Sequence, residues 1–161
     1  MTSVLDLASR AGEPVLLLRL LLATLVGAAI GWNRFRAGKP AGVGTHALVA
    51  LGSALFVSIP ALSGIAEGGN PLARTIQGVA TGVGFLGAGE IFRDPASGSR
   101  VHGLTSAAAL WATAALGIIA VCGSLVMIGA ITVLVLLILV IAAQLEQRFP
   151  SPDPSGTPQT R

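Results

Sequence analysis

Apolar positions in this chain come in long runs separated by short polar stretches, without the strict alternation of a half-buried strand. Five runs stand out: roughly 15–32 (VLLLRLLLATLVGAAIGW), 42–60, 71–92, 104–121 and 124–145. A helix crossing a bilayer needs about 20 mostly apolar residues. The pattern therefore predicts an all-α, polytopic transmembrane helix bundle of about five spans. Pro60 closes the second run. Pro71 opens the third at a first-turn position, where its missing N–H costs nothing. Residues 1–14 read as an N-terminal segment, 15–147 as one transmembrane domain, and 148–161, rich in Pro, Ser and Thr, as a disordered tail. The first run does not read as a cleaved signal peptide. Asp6 and Glu13 precede it in place of a basic segment, and Arg19 interrupts it.

Composition agrees with the pattern. Hydrophobic residues make up 53% of the 161 and charged residues only 11%, against about 25% charged in soluble domains. So few charges cannot coat a water-facing surface, and the lipid bilayer is the expected solvent. The net charge of +3 does not point to nucleic acid, because no basic stripe with interleaved aromatics is present. The basic residues instead gather between runs: Arg34, Arg36 and Lys39 after the first, Arg93 and Arg100 after the third, Arg148 and Arg161 after the fifth. The stretch 61–70 has no basic residue and contains Glu67. The positive-inside rule then puts the N-terminus outside and the C-terminus in the cytosol. The single cysteine, Cys122, permits no intrachain disulfide and reads as a small core thiol.

At 100° per residue, the runs acquire faces. Arg19, Ala23, Gly27 and Gly31 share one side of the first span, with Thr24 beside them. His46, Ala50, Ser53, Ala54 and Val57 share a side of the second. Ser106, Ala109, Thr113, Gly117 and Ala120 share a side of the fourth, away from Trp111. Small faces let helix backbones approach closely, which holds bundles together where apolar burial gives little drive. The fifth span, mostly large aliphatics, is expected at the lipid-facing edge.

Residues 82–87, GVGFLG, match G-x-G-x-x-G. A dinucleotide fingerprint also needs a strand before it and an acidic residue about 20 positions on. Neither is present, so no nucleotide or other cofactor is expected. On a helix, Gly82, Gly84, Gly87 and Gly89 cover more than half the circumference together with Gly78, Ala80 and Ala88. This predicts a third helix at the centre of the bundle, touching several neighbours through its glycines.

Ionisable groups inside spans are functional candidates by default. Arg19 and Arg74 each lie one turn inside the outer end of a span. They either snorkel to the interface or join Glu67 or Glu13 in a shared polar cluster. His46 reads as an interhelical hydrogen-bonder, since a lone histidine makes a poor metal site. Gln77 reads as a packing hydrogen-bonder. Glu90 pairs with Arg93 near the headgroups or, in an oligomer, lines a cation-attracting ring. No Ser-His-Asp set, carboxylate pair or metal cluster can be assembled, so no enzyme activity is expected.

At Arg19-Leu-Leu-Leu-Ala23, GAAIG (27–31), AGVGTHALVALG (41–52, including Thr45), Arg74-x-x-Gln77, GVGFLGAG (82–89) and GLTSAAALWATAALG (103–117, including Gly103, Thr105 and Trp111), the chain resembles the MgtC/SapB family of bacterial inner-membrane proteins. The resemblance covers roughly residues 15–120. It implies a multi-pass inner-membrane protein that is regulatory in magnesium homeostasis, stress or virulence, acting on F-type ATP synthase or another membrane partner. An oligomeric channel or transporter for Mg²⁺ or K⁺ is the alternative. The short tail resembles the form lacking a C-terminal soluble domain. The family usually has Glu where Asn33 stands, Arg at Gly44 and His102, and an uncharged residue at Glu90. All four lie near the predicted cytosolic face, where the pattern reads as a Glu–Arg network lost on both sides together.

Overall fold

The computed structural model describes residues 12–62, 70–94 and 100–148, with the backbone alone at Ala61, 92–94 and Arg100. Five long helices account for most of these residues: α1 (Gly12–Arg36), α2 (Val43–Leu62), α3 (Pro71–Glu90), α4 (Leu104–Cys122) and α5 (Leu125–Arg148). Between α3 and α4 lies a short antiparallel hairpin, β1 (Phe92–Asp94) and β2 (Arg100–His102), with Phe92 opposite His102. The hydrophobic pattern predicts only a loop here. The predicted tail and N-terminal segment fall outside the described residues, apart from Gly12–Pro14, which open α1, and Arg148, which closes α5.

The fold is a transmembrane helix bundle. Four of the helices, α1, α2, α4 and α5, are long and apolar enough to cross a bilayer. The fifth, α3, has 20 residues, but its glycines and polar side chains dilute its apolar character. Its start follows the expected chemistry. Pro71 occupies the first turn, and the Asn70 side chain accepts from the Ala73 N–H at 3.1 Å.

The packing centre is the trio α1, α2 and α4, with α3 and α5 laid against its flanks. Small residues bring the trio together. A Cβ on Gly27 would sit 2.5 Å from the His46 carbonyl oxygen and 2.8 Å from the Ala50 Cβ. One on Gly31 would sit 2.6 Å from the Val43 Cα, and one on Gly117 would strike the Ala50 carbonyl. Ala50 is thus gripped from two sides, by α1 and α4, and is fully buried. Around this contact Ala23, Ile30, Ala54, Val57, Leu116 and Ala120 form the core. Thr113 and Ser53, also buried, return their hydroxyl protons to carbonyls one turn back, at 2.8 Å each, so they add polarity without unmet hydrogen bonds.

The placement of α3 departs from expectation. It is not central: only Val83 and Gly87 along it are buried. Gly87 faces Ala107 of α4, where a Cβ would make an ordinary 3.4 Å contact, whereas Gly78, Gly82, Gly84 and Gly89 have nothing within 4 Å. The reason lies on α4. Its small face is already occupied by α1 and α2, so α3 packs along a different side of α4, through Val83 and Gly87. Helix α5 lies at the edge, burying only Ile128 and Leu139.

Candidate functional site

Polar groups collect at the two ends of the bundle. At one end Arg19, half-buried on α1, donates through Nη1 to the carbonyls of Ala120, Val121 and Gly123, at 3.0, 2.9 and 3.1 Å. These oxygens lie at the C-terminus of α4, where carbonyls lack intrahelical partners and the helix dipole is negative. A cation there answers both deficits. Arg19 Nη1 is therefore turned to the end of α4 and not out to the interface. Glu67 lies outside the described residues. Arg74 and Gln77 lie on the exposed face of α3, so Gln77 makes no packing contact in the core.

The opposite end is richer. Arg34, which the sequence groups with the loop charges, belongs to α1 and is 2% exposed. Its Nη2 donates to Ser106 Oγ in the first turn of α4 at 2.8 Å, while its Nε is buried without a partner. Glu146 of α5 and Glu90 of α3 both lie within electrostatic reach of its guanidinium, as does His46 of α2. Four other helices therefore place a polar group near one residue of α1. A signal for this was present in the sequence: Ala23, Gly27, Ile30 and Gly31 define the buried face, and Arg34 continues it three residues on.

Two further polar atoms are buried here without hydrogen-bond partners, Glu90 Oε2 and His46 Nε2. His46 Nδ1 lies 3.1 Å from the Gly42 carbonyl, a contact at its own helix start and not between spans. Glu90 lies within electrostatic reach of Arg34 but makes no direct ion pair with it. The side chain of Arg93, its expected partner, lies outside the described residues. Charged and polar groups thus gather around Arg34 at this end, joined to it directly only through Ser106. Among the described residues no group of three His, Cys, Asp or Glu is placed to hold a metal ion.

The hairpin is anchored to the same place. Gly103 has a φ of 89° and packs its Cα against the Glu90 carbonyl, so a side chain there would be excluded by both conformation and space. Beside it opens a polar cleft of about 470 Å³, walled by Arg34, Lys39, His102, Glu146 and the first turn of α4 from Gly103 through Thr105 to Ser106. Lys39 Nζ is 3.9 Å from Glu146 Oε2 on its rim. A second, apolar groove of about 740 Å³ runs between α2 and α3, lined by Thr45, Val49, Phe56, Gly78 and Gly82 among others. Trp111 is exposed on the outer side of α4.

The MgtC family model matches residues 20–148. The chain is similar to the protein SrpB of Synechococcus elongatus, 57% identical over 116 residues that cover 65% of this chain and 62% of that one. It is similar to the protein MgtC of Salmonella typhimurium, 36% identical over 133 residues, 83% of this chain and 54% of that one. It is also similar to an Escherichia coli protein named "Putative magnesium transporter YhiD", 42% identical over 110 residues, 64% of this chain and 49% of that one. The chain thus spans about half to three fifths of the length of these curated relatives. No solved structure matches it.

Proposed function

This chain belongs to the MgtC family, and from that premise we propose that it is a regulatory protein of the bacterial inner membrane, tied to magnesium homeostasis, that acts by helix-to-helix contact with another membrane protein. F-type ATP synthase is the partner class that the family resemblance brings forward. The observation that carries this reading is the uncovered glycine face of α3. Gly78, Gly82 and Gly89 share one side of the helix, and a Cβ on any of them would meet nothing within 4 Å. Lipid rewards close backbone approach between helices, and the bundle's own helices leave an open groove along this side. Glycine in an exposed helix position costs roughly 1 kcal/mol relative to alanine, so three of them need a return from outside the bundle. A transmembrane helix of a partner supplies it.

The alternative, an oligomeric Mg²⁺ or K⁺ pore ringed by Glu90, draws less support. The Glu90 Oε2 is buried, within the field of Arg34, so a ring of carboxylates facing a shared axis would require that side chain to leave its buried position. Crosslinking and affinity capture from native membranes tests the reading, with the natural chain beside a Gly82→Leu variant. Recovery of an ATP synthase subunit or another membrane protein with the natural chain, and its loss with Gly82→Leu at unchanged melting temperature, is the expected result. Self-association alone, together with ion flux into proteoliposomes that Glu90→Gln abolishes, would replace it with the pore.

A further inference from the structure

The polar cleft at the Arg34 end has the donor set of an anion site. Its floor is the N-terminus of α4, a helix of 19 residues whose N-cap is Gly103, with no side-chain capping bond. The first intrahelical bond of α4 runs from the Ala107 N–H to the Gly103 carbonyl. The N–H groups of Leu104, Thr105 and Ser106 therefore have no partner within the helix, and the positive end of its dipole points the same way. Helices usually place Ser, Thr, Asp or Asn there, whose side chains accept from these donors. This one places a glycine and leaves the donors open.

A second observation is independent of the helix. Arg34 is 98% buried, taking its 2% exposure, and lines the same cleft. One of its nitrogens is spent on Ser106 Oγ. Its Nε–H is buried and unspent, which is an unfavourable state for a charge-bearing donor unless something accepts from it. Lys39 Nζ stands on the rim. Backbone N–H groups at a helix start, a guanidinium edge and an ammonium together match a tetrahedral oxyanion, with the fixed fork of arginine suited to two of its oxygens.

Two carboxylates face this set. Glu90 shares the field of Arg34 from the α3 side, but it is not among the cleft's lining residues. Glu146 is on the rim and pairs with Lys39 at 3.9 Å, with side chains 58% and 38% exposed. An exposed pair of that length is weak, so an anion that also meets the α4 N–H groups displaces Glu146 from Lys39. We propose that this cleft binds a phosphate group, held between the first turn of α4, Arg34 and Lys39. The group belongs either to the headgroup of an anionic lipid or to free phosphate. The exposed Val101 and Leu104 beside the cleft are placed for the acyl side of a lipid.

The test uses the whole chain purified in a maltoside detergent, which carries no phosphate. Binding is read by native mass spectrometry and by ligand-induced thermal shift. Four probes are compared: dihexanoyl phosphatidylglycerol, dihexanoyl glycerol as the same acyl body without phosphate, inorganic phosphate, and chloride. Phosphatidylglycerol binding without inorganic phosphate binding assigns the lipid source, and saturable inorganic phosphate binding assigns the free ion. In either case Lys39→Gln is expected to weaken binding about tenfold, the loss of one charge-assisted bond. Lys39 is exposed enough for this variant to keep its fold. Arg34→Lys is expected to weaken binding further, because an ammonium lacks the fork. The proposal is overturned if neither phosphate probe binds, if dihexanoyl glycerol binds as well as phosphatidylglycerol, or if Lys39→Gln leaves affinity unchanged.

Discussion

At the scale of single residues, the glycines of this chain divide by what stands opposite them, and the division can be measured. Gly27 faces the His46 carbonyl and the Ala50 Cβ at distances no real side chain keeps. Gly27→Ala must therefore push α1 away from α2, and a loss of about 1–3 kcal/mol is expected, the usual cost of overpacking. Gly82 meets nothing. Gly82→Ala removes a poor helix former from an exposed position, so a gain of up to about 1 kcal/mol is expected. Unfolding of both variants in detergent micelles, followed by circular dichroism, checks the pair. Equal effects would mean that the glycines are not distinguished by packing. Both glycines stand in small-residue runs, and nothing local separates them. Periodicity reads which side of a helix is small, but not whether a neighbour arrives there. Periodicity thus marks Gly27, Gly31 and Gly117 as contact points and marks Gly82, Gly84 and Gly89 equally, although these three stand away from the bundle centre.

At the scale of elements, the ends of α4 decide how the helices join. Its C-terminal carbonyls are closed by Arg19 of α1. Arg19→Leu leaves three oxygens without that donor, and a loss of about 1.5–3 kcal/mol is expected, the range for bonds to a charged group. Arg19→Lys keeps the charge and is expected to recover part of it. The comparison of their chemical denaturation midpoints separates charge from geometry. At the other end of α4, Gly103 joins the hairpin to the helix at φ 89° against the Glu90 carbonyl. Gly103→Ala meets both conformational strain and a clash, and is expected to cost about 1–3 kcal/mol. Gly38, at φ 65° with open space around it, bears strain alone, so Gly38→Ala is expected to cost about 1–2 kcal/mol and less than Gly103→Ala. Melting temperatures of the two variants check the order. The span positions of α1, α2, α4 and α5 were readable because long apolar runs have one meaning. The hairpin was not, because residues 92–102 mix charge, glycine and proline with no alternation over a useful length.

At the scale of the whole molecule, Arg34 of α1 stands where polar groups of the other four helices gather: Ser106 in direct hydrogen bond, His46, Glu90 and Glu146 within electrostatic reach. A charge buried to 2% exposure is tolerable only while its counter-charges remain. Arg34→Met should strand Glu90, whose Oε2 is buried without a hydrogen-bond partner. A loss of about 1–3 kcal/mol is expected, from the lost Ser106 bond and a Glu90 charge left less compensated. Glu90→Leu alone strands Arg34 in turn, though Glu146 still offsets part of the charge, so a smaller loss is expected. If the two groups act as a pair, the double variant Arg34→Met with Glu90→Leu should be more stable than Arg34→Met alone, because no charge is then left unmatched. The cycle of four proteins, unfolded by urea in the same detergent, yields the coupling directly. Additive losses would mean that Glu90 does not balance Arg34. The inward turn of Glu90, on which the argument against a carboxylate-lined pore depends, would then have to be given up as well.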